Sequence, residues 1–206
     1  MNYLGYDLVG NNGYFIVPAN TSNLVAVYDC PISGTLVTPT VNGTALTNKF
    51  SFTSWTGVFP SGVPGRVAEM YPAPPAGTYL NLSDWNVTYF FFSGAGSVRS
   101  VGTAGSASIT GLQVVSVNVP STSDEYIVGM AAGSGTFPST LSIDGGSFYT
   151  ITNLGGKRIG AHQSNGTLAD VDITMGSGGA GGLYFGFTSV TSTTTSDNSG
   201  GIIAIM

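Results

Sequence analysis

Apolar residues along this chain alternate with polar ones in short segments, which are separated by glycine, asparagine, serine and proline. Leu24–Cys30 alternates moderately, and Trp85–Phe92 is the most apolar segment. Every second residue from Trp85 to Phe91 is apolar, and the opposite face becomes apolar at its end. A strand that is apolar on both faces is typical of a central position between packed layers. We therefore predict a β protein with Trp85–Phe92 in its core.

Turn signals join these segments. The dipeptide Asn12-Gly13 suits a two-residue hairpin and predicts that Tyr3–Val9 pairs with Tyr14–Val17. Asn42-Gly43 is the strongest hairpin signal in the chain and joins the segments on its two sides. Three prolines and a glycine in Pro72–Gly77 predict a rigid turn, because proline fixes φ and has no backbone donor.

The rest of the chain continues this series of short strands, and no segment has a sustained helical period. Further strands are predicted at Leu36–Val41, Ala45–Phe52, Arg66–Tyr71, Tyr79–Leu82, Leu112–Val119, Tyr126–Ala131, Thr140–Ile143, Phe148–Thr152, Lys157–Gln163, Ala169–Met175, Leu183–Val190 and Ile202–Met206. The small residues of Ser93–Ser108 predict a loose hairpin. The glycines and prolines of Trp55–Pro64 predict a long loop. About 12 to 16 short strands at spacings of roughly 8–12 residues indicate an all-β, antiparallel β-sandwich with long Gly/Ser/Thr-rich loops. The series fits one elaborated sandwich or two small ones; one domain is favoured because no linker-like change of composition separates the halves.

Composition narrows the function classes. Charged residues make up 7% of the chain, against about 25% in average globular proteins, whereas hydrophobic residues reach 42%, which disfavours disorder. No apolar run approaches the ~18 residues of a membrane helix, so no membrane partner is expected. Five scattered basic residues and a net charge of −5 argue against nucleic acid. Cys30 is the single cysteine and forms no intrachain disulfide, and the first ten residues lack the features of a secretory signal.

Candidate catalytic and metal-binding residues have simpler structural interpretations. Serine hydrolase chemistry needs a base, but the single histidine, His162, is expected to be a half-exposed strand residue. A glycosidase needs two carboxylates, for which Glu69 and Glu125 are the only glutamates. We expect Glu69 to face solvent and Glu125 to lie where a loop enters a strand.

Calcium and phosphate sites are disfavoured on similar grounds. Asp170 and Asp172 lie on one strand face and Asp144 in a tight turn, without EF-hand spacing, so we expect solvated carboxylates. Gly155-Gly156-Lys157-Arg158 lacks the preceding glycine and the following hydroxyl of a phosphate-binding loop. We therefore expect no catalytic residue, metal or cofactor, and predict that the protein is not an enzyme.

Loop aromatics leave carbohydrate binding open. Sugar sites on β-sandwiches use exposed aromatic rings with amide or hydroxyl partners. Trp55, Phe59 and Tyr71 lie in or beside predicted loops. These rings are candidate glycan contacts, and the alternative is that they cover the core or pack against a neighbouring subunit.

Several of these segments resemble one known class of module when they are taken together. The segment Val41-Asn42-Gly43-Thr44-Ala45-Leu46, followed by Tyr71 and by Pro74-Pro75-Ala76-Gly77-Thr78, resembles β-sandwich modules of bacteriophage virions. The likeness covers Leu24 to Met206, and each motif in it is turn chemistry. It implies a jelly-roll-like sandwich in a head-decoration, minor-capsid, spike or fibre protein.

We therefore expect a non-enzymatic bacteriophage virion structural protein, made in the host cytoplasm without a signal peptide and assembled into the particle. The resemblance implies a capsid decoration, minor-capsid or vertex protein, and the alternative is a glycan-binding receptor-attachment module of a spike or fibre. Expected partners are the major capsid protein, other virion proteins or copies of itself, and a host glycan. Residues 1–20 form a predicted attachment segment and residues 21–206 one sandwich domain. The expected interface residues are Tyr3, Leu4, Tyr6 and the loop with Trp55 and Phe59.

Overall fold

The computed structural model describes residues 1–9, 14–29, 38–53, 64–81, 87–134, 138–144, 146–147, 149–152, 157–176 and 181–193. These residues form eighteen β-strands and no helix, and each of their strand pairs is antiparallel. The predicted all-β, antiparallel sandwich is therefore confirmed. Over the same residues, no helix has the length and apolar character that crossing a membrane requires.

The strands fall into two sets of nine in chain order. The first set is β1 Asn2–Val9, β2 Tyr14–Ile16, β3 Asn23–Asp29, β4 Thr40–Val41, β5 Thr44–Ala45, β6 Thr47–Thr53, β7 Pro64–Met70, β8 Tyr79–Asn81 and β9 Val87–Ser93. The second set is β10 Ala95–Ile109, β11 Val114–Pro120, β12 Tyr126–Ser134, β13 Pro138–Ile143, β14 Gly146–Ser147, β15 Tyr149–Thr152, β16 Lys157–Gln163, β17 Leu168–Met175 and β18 Gly181–Ser192.

The two sets share one topology. In the first set a five-stranded sheet has the order β1-β9-β3-β7-β6, and β2-β8 and β4-β5 form two small pairs. In the second set the five-stranded sheet has the order β10-β18-β12-β16-β15, and the other sheet has the order β11-β17-β13-β14. Every pair of strands in the first set has a counterpart in the second set, with strand numbers that are higher by nine. The described chain is thus a tandem repeat of one arrangement.

The repeated arrangement is a jelly roll. In the second set β10 pairs with β18, β11 with β17, β12 with β16 and β13 with β14, so that the pairs are nested inside one another. In the first set β1 pairs with β9, β2 with β8, β3 with β7 and β4 with β5. Nested antiparallel pairs distributed over two facing sheets are what a long hairpin gives when it is rolled up, which is the jelly-roll architecture. We refer to β1–β9 as the first roll and β10–β18 as the second roll.

The rolls pack through their five-stranded sheets. One core cluster lies between these sheets and takes side chains from both rolls, among them Val25, Phe90 and Phe92 from the first and Val128 and Met130 from the second. A second cluster fills the space between the two sheets of the second roll, and a third lies on the outer face of the first roll's large sheet. The molecule is therefore a stack in which both five-stranded sheets are buried on two faces.

The predicted central strand has the position expected for it. β9 lies between β1 and β3, and all its residues from Val87 to Phe92 are buried. Phe90 and Phe92 point into the core between the rolls, whereas Tyr89 and Phe91 point into the outer cluster. The prediction of a strand between layers is confirmed.

Large rings from the first roll fit against glycines. A Cβ on Gly186 of β18 would lie 2.2 Å from the Phe52 ring of β6, and one on Gly65 would lie 2.1 Å from the same ring. A Cβ on Gly102 of β10 would lie 2.9 Å from the ring of Phe50. These glycines let the sheets approach closely around the two phenylalanines.

Two pairing predictions need correction, and one is confirmed. Ser93–Ser108 is not a loose hairpin, because Ala95–Ile109 is a single strand paired with β18. Its small residues leave room for the large rings of neighbouring strands, which the local pattern did not indicate. The strands predicted as a pair on either side of Asn12-Gly13 are both present, but β1 pairs with β9 and β2 with β8. The hairpin at Asn42-Gly43 is confirmed, with φ of 50° and 79° at its two central residues.

The junction between the rolls explains why composition gave no boundary. Gly94, with φ of 59°, is the single residue between β9 and β10, so the change of roll needs no linker. Within the predicted attachment segment 1–20, residues 2–9 and 14–16 are strands of the first roll. The predictions for Gly10–Gly13, Cys30, residues 55–63, Trp85 and Ile202–Met206 concern positions outside the described residues, and Pro64, the last residue of the predicted loop, is the first residue of β7.

Candidate functional site

The three predicted interface residues of the N-terminal strand have different surroundings. The Tyr3 ring centroid lies 6.4 Å from that of Phe90 and 6.5 Å from that of Tyr126, so it closes the edge of the core between the rolls. Leu4 packs against the outer cluster of the first roll. Tyr6 is 47% exposed and is the one of the three that offers a ring to a partner.

Of the three loop aromatics, Tyr71 falls within the described residues. It follows β7 directly, its side chain is 47% exposed, and the Tyr71–Pro72 peptide bond is cis. The turn predicted after it is present: the Thr78 amide donates to the Pro75 carbonyl at 3.1 Å. Trp55 and Phe59 lie outside the described residues, so a platform of the three rings stays a prediction.

Glu69 corrects an expectation of the sequence analysis. It was predicted to face solvent, but it is 4% exposed because its side of β7 faces the second roll. One carboxylate oxygen accepts hydrogen bonds from Asn23 Nδ2 at 2.9 Å and from the Val98 amide at 2.7 Å. The other accepts from Ser97 Oγ at 2.5 Å and lies 3.2 Å from Lys49 Nζ. We call Glu69 with these four residues the Glu69 cluster.

The Glu69 cluster connects the rolls. Its acceptor lies on β7 of the first roll, and two of its donors lie at the start of β10 in the second. Asn23 Nδ2 also donates to the Gly96 carbonyl of β10. A carboxylate that is saturated by donors in this way is suited to fixing β10 against the first roll.

A second buried charge spans the same interface. Asp29 of β3 accepts a hydrogen bond from Lys157 Nζ of β16 at 2.5 Å, and Tyr184 Oη of β18 lies 3.5 Å from its other oxygen. Burial raises the pKa of Asp29, and the Lys157 ammonium opposes this rise. Burial and the nearby carboxylate also raise the pKa of the Tyr184 hydroxyl. The group thus holds an ion pair between the sheets at a cost in desolvation.

Glu125 lies at the loop-to-strand junction that was predicted for it. It is buried, it forms an ion pair with Arg99 of β10, and one of its oxygens accepts from the Thr122 amide at 3.1 Å. The pair raises the pKa of the Arg99 guanidinium, chiefly through the hydrogen bonds to Glu125. Glu125 therefore fixes the turn before β12 against the edge of the same sheet.

The remaining candidates brace loops and strands. His162 is half-buried on β16, as predicted, and its Nδ1 lies 2.7 Å from the Gln163 carbonyl oxygen. Asp144, with φ of 47°, accepts from the Asp170 amide at 2.9 Å and from the Asn165 amide at 3.0 Å. Asp170 is exposed, as expected, whereas Asp172 on the same face of β17 is half-buried and accepts a hydrogen bond from Ser116 Oγ.

The described geometry favours structural over catalytic use of these groups. Glu69, Glu125 and Asp29 each face cations and donors from another strand or turn. Within the described ranges, no three His, Cys, Asp or Glu residues are arranged to hold a metal ion. Buried carboxylates with such partners strengthen contacts between elements.

A further surface was not singled out from the sequence. β10 and β11 are the outer strands of the second roll's two sheets, and they lie side by side, with Thr103 Oγ1 donating to the Asn118 carbonyl. From Ser100 to Ser123 the chain has no charged residue. We call this side of the second roll the uncharged edge. The long gap between charges was the signal in the sequence that could have identified it.

Comparisons of the chain with protein-family models, with curated proteins and with solved structures gave no significant match.

Proposed function

We propose that this protein is a non-enzymatic structural protein of a bacteriophage particle, present on the capsid as a decoration, minor-capsid or vertex protein. The observation that supports it is the jelly-roll topology, found twice in tandem. Jelly rolls recur in viral capsid proteins and in lectins, and they serve there as rigid blocks with exposed loops and edges. The resemblance of the turn motifs to phage virion modules points to the same class.

The buried polar groups agree with a structural role. Glu69 and Asp29, two of the three buried charged residues in the described part of the chain, join the first roll to the second. A surface with few charges leaves hydroxyl, amide and backbone groups for contacts with neighbouring subunits. Such a protein is suited to permanent packing in an assembly.

The test is the protein content of purified particles. Phage particles from the source of this chain would be banded twice in a density gradient and analysed by quantitative mass spectrometry. We expect the chain to co-purify with the major capsid protein at a fixed ratio across the gradient fractions. An abundant host cytoplasmic protein followed in the same fractions provides the control. A chain that distributes like this host protein would contradict the proposal.

The alternative is a glycan-binding attachment module, which the half-exposed ring of Tyr71 favours. Exposed aromatic rings supply the stacking surface that sugars bind. On a glycan array prepared from host polysaccharides, the Tyr71→Ala variant is then expected to lose binding. Tyr6→Ala is the matched control, because Tyr6 is also 47% exposed. Equal binding by the two variants and the unmodified protein would remove Tyr71 from the site.

A further inference from the structure

The uncharged edge has an open backbone. β10 is the first strand in the order of its sheet, and in the part of the chain that the structure describes no strand pairs with its outer side. Its register with β18 is continuous from Gly102 to Ile109, without a bulge. Eight residues of regular strand present an edge of about 27 Å, at roughly 3.4 Å per residue.

β11, the other strand of the uncharged edge, is also regular over Val114–Pro120, whereas the edge strands elsewhere in the described sheets have features that hinder pairing. β1 has a register shift between Tyr3 and Gly5, and β6 has another next to Lys49. Bulges and lysines at an edge are common means of preventing strand addition. β14 is two residues long and β15 four, so neither offers a comparable template. β10 has none of these features between Gly102 and Ile109.

Apolar side chains are exposed along the same side. Val101 is 63% exposed, Leu112 is 75% exposed and Val114 is 54% exposed. They lie on β10, on the turn that follows it and on β11. Burial of such side chains would add to the hydrogen bonds that a new strand makes with the edge.

We propose that the uncharged edge binds a second copy of this chain, with the two β10 strands pairing antiparallel about a two-fold axis. In a two-fold symmetric contact a residue close to the axis lies near its own counterpart, so a charged residue there would face a like charge. The chain carries a net charge of −5, which repels a second copy, and the uncharged edge contributes none of it. A positively charged partner would instead be expected to bind a part of this chain that carries acidic side chains.

The contact joins two five-stranded sheets into one sheet that continues through both copies. It rests on the proposed function in one respect, since a subunit of an assembly must bind its neighbours. The pairing is formed by backbone groups of Gly102–Ile109, and the three exposed apolar side chains lie at its margins.

Sedimentation velocity over a range of concentrations tests the pairing. We expect the unmodified chain to change from monomer to dimer as its concentration rises, and Ser106→Lys to remain a monomer at the highest concentration. Ser106 is exposed on β10, and a lysine there would place two positive charges close together across the contact. Thr140→Lys is the matched control, because Thr140 is exposed on β13 and the change in net charge is the same. It should dimerise like the unmodified chain.

Hydrogen–deuterium exchange of the unmodified chain gives a second measurement that needs no variant. Peptides covering 102–109 are expected to exchange more slowly at high than at low concentration, whereas those covering 138–143 should not change. A chain that stays monomeric, or equal association by Ser106→Lys, would overturn the inference. So would exchange over 102–109 that does not depend on concentration.

These results are separate from the test of the proposed function. A chain that is found in particles but does not pair through β10 would overturn the inference alone. A chain that pairs through β10 but is absent from particles would overturn the proposed function alone.

Discussion

At the scale of single residues, the buried carboxylates show the limit of predicting side-chain burial from the alternation of a strand. Glu69 occupies a position that alternation along β7 assigns to solvent, but that face is covered by β10 of the second roll. A local pattern separates the two faces of a strand and does not indicate which elements cover each of them. His162 and Glu125, by contrast, have the local positions that the sequence predicted.

Replacement of Glu69 by glutamine should weaken the contact between the rolls. The amide has one acceptor oxygen, so its NH2 group would face donors such as the Val98 amide or Ser97. We expect a loss of about 2–3 kcal/mol in the free energy of unfolding, which urea denaturation measures. Asp170→Asn is the control at an exposed site and should change this free energy by less than about 0.5 kcal/mol. Equal effects of both variants would argue against the role of Glu69 as a connection.

The pH dependence of stability should carry a contribution from Asp29. Because burial raises the pKa of this carboxyl in the folded state, the folded protein retains its proton to higher pH than the unfolded chain does. The resulting stabilisation is complete below the unfolded pKa and is lost as the pH rises through the folded pKa. Each unit of difference between the two pKa values corresponds to about 1.4 kcal/mol.

The comparison variant is Asp29→Asn, which cannot titrate. The difference in unfolding free energy between the unmodified protein and this variant should fall as pH rises from below 3.8, the ordinary pKa of the carboxyl. Lys157 and Tyr184 are the titratable side chains that contact Asp29 in the described residues. A difference that is constant with pH, or that grows, would contradict the raised pKa.

At the scale of elements, the sequence predicted strands better than their partners. β9 is apolar on both faces, and Asn42-Gly43 has a specific turn chemistry, so both were identified from local information. β10 was not identified as one strand, because Gly102 and Gly105 within it are explained by the rings of Phe50 and Phe185 on other strands. The jelly-roll form was implied by resemblance, whereas its repetition depends on pairings between distant residues that no local pattern contains.

The contact between Phe52 and Gly186 joins residues that are distant in sequence, and its contribution to stability can be tested. Gly186→Ala would place a methyl group 2.2 Å from the Phe52 ring, which also lies close to Gly65. We expect Gly186→Ala to lower the free energy of unfolding by about 1–3 kcal/mol, which chemical denaturation measures. Gly166→Ala is the control, since a Cβ there has nothing within 4 Å. Phe52→Leu should lower the free energy of unfolding less in the Gly186→Ala variant than in the unmodified protein, because the smaller side chain relieves the clash. An equal decrease in both proteins would exclude the clash.

At the scale of the whole molecule, the shared core should make the two rolls unfold together. The cluster between the large sheets contains β3 residues of the first roll and β12 residues of the second. Separating the rolls would expose both sets, so we expect one cooperative transition in urea. In native-state hydrogen exchange, the slowest amides of 23–29 and of 126–134 should open with the same free energy. A lower opening free energy in one of the two segments would show that the rolls unfold independently.

The nested pairing also affects the protein while it is being synthesised. β9 is the last strand of the first roll, so its five-stranded sheet can close only when the chain as far as Ser93 has left the ribosome. The phenylalanine-rich face of that sheet then has no cover until β10, β12 and β18 have formed. β18 is the last of these and pairs with strands that begin at residues 95 and 126. Contacts of such long sequence separation form slowly, so the nascent chain has an extended period in which aggregation through this face competes with folding.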